Sequence, residues 1–333
     1  MMFYLTLVGG MMLTISSNSW VGAWMGLEIN LLSFIPIMTN GENMYMAEAA
    51  MKYFLVQALA SSMLLFSVMT LTMMEKYQLI SKLSNYSMLM MIPLLLKSGA
   101  APLHWWFPSV MEGMSWMNCL ILMTLQKIAP MILMSNIMMP EMMLMLFALS
   151  SLWIGSMGGL NQISLRKMMT YSSINHMGWL LMSMLISNSL WLIYFMVYTL
   201  LTMTTILIIN LEKISFINQT FNTNYNIEFK FMMFITLLSL AGLPPFTGFF
   251  PKWIVIQHLI DNNYVIITTM MVVLSLITLY YYTRISYTAF LILHVKTSWN
   301  MKMLNKSVMT KSVLVSTSIV GLITMSLPTS IYL

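Results

Sequence analysis

Apolar runs of about 18–25 residues follow one another along the whole sequence, with no period-two alternation inside them. Coiled as an α-helix, a run of that length matches the hydrocarbon thickness of a bilayer. A membrane barrel needs alternating strands of about ten residues, so barrel strands are excluded. Only 7% of the 333 residues are charged, against about 25% in a soluble domain. A chain with so few charges lacks the polar surface to fold in water. Lipid offers no partners to backbone N–H and C=O groups, so the spanning segments must satisfy their own as helices.

The expected fold is an all-α polytopic membrane protein of about eleven transmembrane helices. The segments fall near 2–19, 22–39, 48–74, 84–107, 115–137, 141–160, 164–187, 190–210, 231–260, 263–290 and 309–327. The stretch 211–230, rich in Asn and Thr, reads as a solvated loop. Two segments carry helix-breaking residues. One holds Pro93 and then Lys97-Ser98-Gly99-Ala100-Ala101-Pro102, and the other holds Gly242-Leu243-Pro244-Pro245, Gly248 and Lys252. These breaks lie five segments apart. An odd spacing turns a second copy upside down in the membrane, so the pattern predicts two inverted five-helix repeats with broken helices plus one C-terminal helix. The domains are then 1–138, 139–292, and 293–333 for a loop and the last helix.

Charge gives orientation. With loops alternating sides, Arg166, Lys167, Lys213, Lys230, Arg284, Lys296, Lys302, Lys306 and Lys311 fall on one side, and only Lys76 and Lys82 on the other. The positive-inside rule places the first side and the N-terminus in the cytoplasm or matrix, and the C-terminus opposite. The net charge of +6 is scattered rather than gathered in a patch, which argues against nucleic acid. One cysteine, Cys119, excludes an internal disulfide or iron–sulfur cluster, and the four histidines lack metal-ligand spacing. Glycine-rich nucleotide loops and nucleophile elbows are missing as well. Gly155-Ser156-Met157-Gly158-Gly159 follows no strand and reads as a surface for close helix packing. The 43 methionines fit either flexible apolar filler or a genetic code that reads an isoleucine codon as methionine.

Four ionisable residues stand inside apolar segments: Glu28, Lys97, Lys127 and Lys252. A charge at the centre of a spanning helix costs about 2.5–3.5 kcal/mol or more, so it persists only with a partner, water or a function. Each lysine has a plain reading, snorkelling to the interface or a structural ion pair. That reading is weakest for Lys97 and Lys127, and Glu28 is too short to snorkel. The functional reading is a proton relay. Burial disfavours a charged lysine and a nearby carboxylate favours it, so a change in their separation or hydration makes the lysine take up or release a proton. His104, seven residues after Lys97, shares its face if the helix is continuous. His176 lies in a polar stretch, where a structural interhelical hydrogen bond is an equal alternative.

Three motifs carry a resemblance. Leu96-Lys97-Ser98-Gly99-Ala100-Ala101-Pro102-Leu103-His104-Trp105-Trp106 is the first. The second is Gly158-Gly159-Leu160-Asn161-Gln162 with Leu165-Arg166-Lys167 and Tyr171-Ser172-Ser173-Ile174-Asn175-His176-Met177-Gly178. The third is Ala241-Gly242-Leu243-Pro244-Pro245-Phe246-Thr247-Gly248-Phe249 with Lys252-Trp253. In this order they resemble the antiporter-like membrane subunits of respiratory complex I, in particular those of animal mitochondria, arthropods among them. The resemblance implies a proton-translocating subunit coupled to NADH:ubiquinone oxidoreduction elsewhere in the complex. It implies a proton path through Glu28, Lys97, Lys127 and Lys252, with His104 as a connecting residue. Lys252 stands where other antiporter-like subunits can carry a glutamate. No cofactor or metal is expected in this chain, since FMN, iron–sulfur clusters and ubiquinone belong to other subunits. The implied partners are neighbouring antiporter-like and small membrane subunits, accessory subunits and lipids such as cardiolipin. The implied location is the mitochondrial inner membrane, with the N-terminus in the matrix and the C-terminus in the intermembrane space. A free-standing cation/proton antiporter and a structural scaffold are the competing readings.

Overall fold

The structure, a computed structural model, describes residues 1–39, 43–76, 83–137, 140–222 and 227–292. The expected final helix, 309–327, and the whole of 293–333 lie outside them. Among the described residues every regular element is a helix, and the one extended pairing is an isolated antiparallel bridge between Ser164 and Phe216. In chain order the helices are α1 (Met2–Ser16), α2 (Trp20–Met38), α3 (Met44–Lys76), α4 (Leu83–Ser98), α5 (Trp106–Gly113), α6 (Trp116–Met123) and α7 (Leu125–Ser135). There follow α8 (Glu141–Gly159), α9 (Leu165–Ile186), α10 (Asn188–Glu212), α11 (Ile217–Asn222), α12 (Ile227–Ala241), α13 (Phe249–Asp261) and α14 (Val265–Ile292). By length and composition, six stretches among the described residues suffice to cross a membrane: Trp20–Met38, Met44–Met73, Trp116–Ser135, Glu141–Gly159, Asn188–Leu211 and Val265–Tyr287. The described residues form two compact units, divided between Ser151 and Leu152 inside α8.

Polar residues set several helix ends. The Ser19 hydroxyl accepts from Gly22 N at 3.2 Å and starts α2, and Ser187 accepts from Leu190 N at 3.3 Å and starts α10. Both expected breaks are present, and both use one device. α4 stops at Gly99, with φ +73°, where Gly99 N–H bonds to Leu96 O and Ala100 N–H to Leu95 O. α12 stops at Gly242, with φ +85°, where Gly242 N–H bonds to Ser239 O and Leu243 N–H to Leu238 O. Each is a Schellman cap, whose left-handed residue costs an L side chain about 1–2 kcal/mol and glycine almost nothing.

Two features differ from the sequence reading. The segment 115–137 is interrupted at Thr124 (φ −112°, ψ −75°), which separates α6 from α7. There the Thr124 hydroxyl donates to Leu120 O at 2.7 Å, and Lys127 N–H bonds to Thr124 O, one residue nearer than an α-helix requires. The stretch 211–230, read as a loop, contains α11 and the start of α12. Its first part is tied to the α8–α9 connection by Leu165 N→Ser215 O (3.0 Å) and Ile217 N→Ile163 O (3.1 Å). These two connections therefore meet at one end of their unit, as loops on the same side of a membrane must.

Candidate functional site

In the first unit, the breaks bring two buried lysines to one enclosed space. Lys97 sits in the last turn of α4, 7% exposed, and Lys127 in the first turn of α7, 2% exposed. They line a cavity of about 20 Å³ together with Asn30, Tyr53, Gln57, Ser98, Trp106, Phe107 and Gln126. A single ordered water needs about 10–15 Å³ and two to four polar partners. The cavity has room for one and polar groups on several walls.

Those groups form a chain. Tyr53 OH donates to Gln126 Oε1 at 3.4 Å, and Gln126 Nε2 donates to Asn30 Oδ1 at 3.0 Å. Side chains also reach the last carbonyls of α4. Gln57 Nε2 donates to Lys97 O at 3.4 Å and Trp106 Nε1 to Leu96 O at 3.1 Å. Lys127 Nζ lies 5.2 Å from the centre of the Phe107 ring, a cation–π distance. Glu28, on α2, is close enough to Lys97 for its charge to act on it. Asn30, one half-turn on, carries that helix to the cavity wall.

Gln126→Leu is a near-isosteric change that removes both ends of the Tyr53–Gln126–Asn30 chain. It leaves two buried polar groups without their partner, at about 1–3 kcal/mol each. The expected result is a lower midpoint of thermal unfolding for the purified protein. An unchanged midpoint would mean that this chain of hydrogen bonds adds nothing to the packing.

In the second unit, Lys252 occupies the first turn of α13 and is 6% exposed. Its Nζ donates to Ala241 O at 2.8 Å, the terminal carbonyl of α12, and lies 5.9 Å from the centre of the Trp179 ring. A Cβ on Gly242 would come within 3.1 Å of that Nζ, so glycine serves both the turn and the lysine beside it. His176, in the middle of α9, pairs through Nδ1 with Tyr194 OH at 2.9 Å and packs on the Tyr198 ring at 5.1 Å. Trp179 follows His176 by three residues, so both lie on the same face of α9.

His104 does not share the cavity of Lys97. Its Nδ1 faces Pro102 O at 3.1 Å in the segment after the break. The seven-residue spacing places two side chains on one face only along an unbroken helix, and α4 ends at Ser98. Asn30, Tyr53, Gln57 and Gln126 were missed in the sequence. Their only signal is polarity inside an apolar run, with Asn30 two residues after Glu28 and Gln126 beside Lys127.

Residues 17–278 match the family described as NADH:quinone oxidoreductase/Mrp antiporter, TM. The chain belongs to this family. Among its relatives is NADH-ubiquinone oxidoreductase chain 2 of Anopheles gambiae, 51% identical over 302 residues, covering 90% of this chain and 88% of the relative. The chain 2 protein of Locusta migratoria is 46% identical over 327 residues, covering 97% and 95%. Solved structures share the fold. A chain of respiratory complex I from Thermus thermophilus superposes with a TM-score of 0.75 at 23% identity, covering 86% of this chain and 69% of that one. A chain of an archaeal membrane-bound sulfane sulfur reductase superposes with a TM-score of 0.82 at 16% identity, covering 98% and 73%.

Proposed function

We propose that this family member is the chain 2 subunit of mitochondrial respiratory complex I, a proton-translocating, antiporter-like protein of the inner membrane. The observation that carries the mechanism is the cavity between Lys97 and Lys127, large enough for water and walled by an amide–phenol chain. Proton transfer needs groups within hydrogen-bond reach, directly or through one water. Glu28 biases Lys97, Lys97 and Lys127 exchange a proton across the cavity, and Lys252 and His176 act in the second unit. His104 is a connecting residue at most, through water. Moving one charge against 100 mV requires about 2.3 kcal/mol, which matches a change in proton affinity of about two units at 1.36 kcal/mol each. Small shifts on several coupled lysines are therefore the right size.

In this reading the two halves, 1–138 and 139–292, are inverted five-helix repeats, and 309–327 is an eleventh helix. The matching Schellman caps at Gly99 and Gly242 support the pairing. The N-terminus faces the matrix and the C-terminus the intermembrane space. Electron transfer occurs on FMN, iron–sulfur clusters and ubiquinone held by other subunits, and this chain binds none of them. Its neighbours are antiporter-like and small membrane subunits, accessory subunits and lipids such as cardiolipin. The test is a native gel of gently solubilised membranes probed for this chain. It is expected in the band that carries NADH dehydrogenase activity. Migration as an isolated protein would favour a free-standing cation/proton antiporter and overturn the assignment.

A further inference from the structure

One lysine in each unit has the same surroundings. Lys127 lies in the first turn of α7, after the interruption at Thr124, and Lys252 in the first turn of α13, after the turn at Gly242. The first turn of a helix carries backbone N–H groups without carbonyl partners, a setting that opposes a positive charge. Each lysine nonetheless ends over the face of a buried aromatic ring. Lys127 Nζ stands 5.2 Å from the centre of Phe107, and Lys252 Nζ 5.9 Å from the centre of Trp179. Both lie within the roughly 6 Å at which a ring attracts an ammonium group.

The rings are held by their own packing. A Cβ on Gly99 would stand 3.3 Å from Phe107 Cγ, so that ring rests on the left-handed residue that ends α4. The Trp106 ring meets it edge-on at 5.5 Å. Trp179 is fully buried inside α9. Its Nε1–H is buried too, without a hydrogen-bond partner among the described residues. Burying an indole in this way is costly, and leucine or phenylalanine would fill the space with no polar group to satisfy. What indole adds is the aromatic face that attracts a cation most strongly. Lys252 Nζ meets this face and Ala241 O at 2.8 Å, neither of them ionised.

We infer that Phe107 and Trp179 are positioning residues that seat the charged forms of Lys127 and Lys252. The inference rests on the proton-relay reading and adds to it what holds each ammonium group while it carries the proton. A ring has no basic atom, so it cannot take the proton from the lysine. Its attraction is also weaker than that of a buried carboxylate, so the lysine is not trapped in its charged form. The ammonium keeps its N–H donors for oxygen partners such as water, to which a proton can pass.

The test compares Trp179→Leu with Trp179→Phe in the assembled complex. Both are apolar and smaller than tryptophan, and only phenylalanine keeps a ring. Proton uptake by sealed vesicles is expected to fall about threefold or more in the leucine variant. The phenylalanine variant is expected to keep about half or more of the parent rate, with the native-gel band unchanged in both. A packing role predicts that the two behave alike, and equal rates overturn the seat. Lys252→Met, run in parallel, separates the two readings. If it loses uptake while the Trp179 variants match each other, the seat is wrong and the relay stands. If it keeps the parent rate, the relay reading fails and the seat falls with it. Should Trp179→Leu not assemble, Trp179→Met, which packs adaptably, takes its place, and Phe107→Leu reads the same device in the first unit. Parental uptake in either overturns the inference.

Discussion

Lys97→Met is expected to lower proton translocation by about tenfold or more while the complex still assembles. Methionine has nearly the length and apolar volume of the lysine stem and packs adaptably, so the last turn of α4 keeps its contacts. What disappears is the one group of that turn able to hold and release a proton beside the cavity of about 20 Å³. Lys97→Arg sharpens the test. Arginine keeps the positive charge and never deprotonates in proteins. A scaffold role, in which the charge only holds helices near Glu28, predicts that arginine restores function. A relay predicts that it fails as methionine does. Both are read as protons moved per NADH oxidised in sealed vesicles, with a native gel as the control for assembly. Normal pumping by either variant removes Lys97 from the path.

Gly155→Leu is expected to abolish the assembled complex. At Gly155, α8 lies against α9 with no room for a side chain. A Cβ would stand 2.6 Å from Asn175 N and 2.8 Å from Tyr171 O, and both are backbone atoms of a packed helix. A side chain's far end can rotate away from such a contact, but backbone yields only if the helices separate. Overpacking of this kind costs about 1–3 kcal/mol even where neighbours relax. Separation would also carry Asn175 and His176 away from Tyr194. The measurement is the intensity of the native-gel band, which should be lost, with Gly155→Ala intermediate. A band of parental strength for the leucine variant would mean that α8 and α9 do not meet at this point.

How far the sequence reaches depends on what a residue does to its own backbone. The breaks at Gly99 and Gly242 were legible because glycine and proline act locally, and the lysines beside them stand out against apolar runs. The break at Thr124 was not. Threonine is ordinary in a membrane helix, and Pro130 frees a carbonyl at Gln126 rather than at the observed interruption. Helix α11 was hidden by its Asn- and Thr-rich composition. The cavity was hidden for a different reason. Asn30, Tyr53, Gln57 and Gln126 come from three helices, and only packing brings them together. His104 shares a face with Lys97 only along a continuous helix, and α4 ends at Ser98, so that condition is not met.

The carbonyls that close α4 and α12 have one more consequence. An α-helix ends in a negative pole of about half an elementary charge, and α12 presents that pole to Lys252 through Ala241 O. Peptide carbonyls do not titrate, so this counter-charge is constant at every pH and in every redox state. Lys97 also stands at a helix end, but the charge acting on it sits on a side chain of another helix, Glu28 on α2. Lysine in the second unit is thus held by a counter-charge built into the backbone, and lysine in the first by one that moves whenever a side chain or a helix moves.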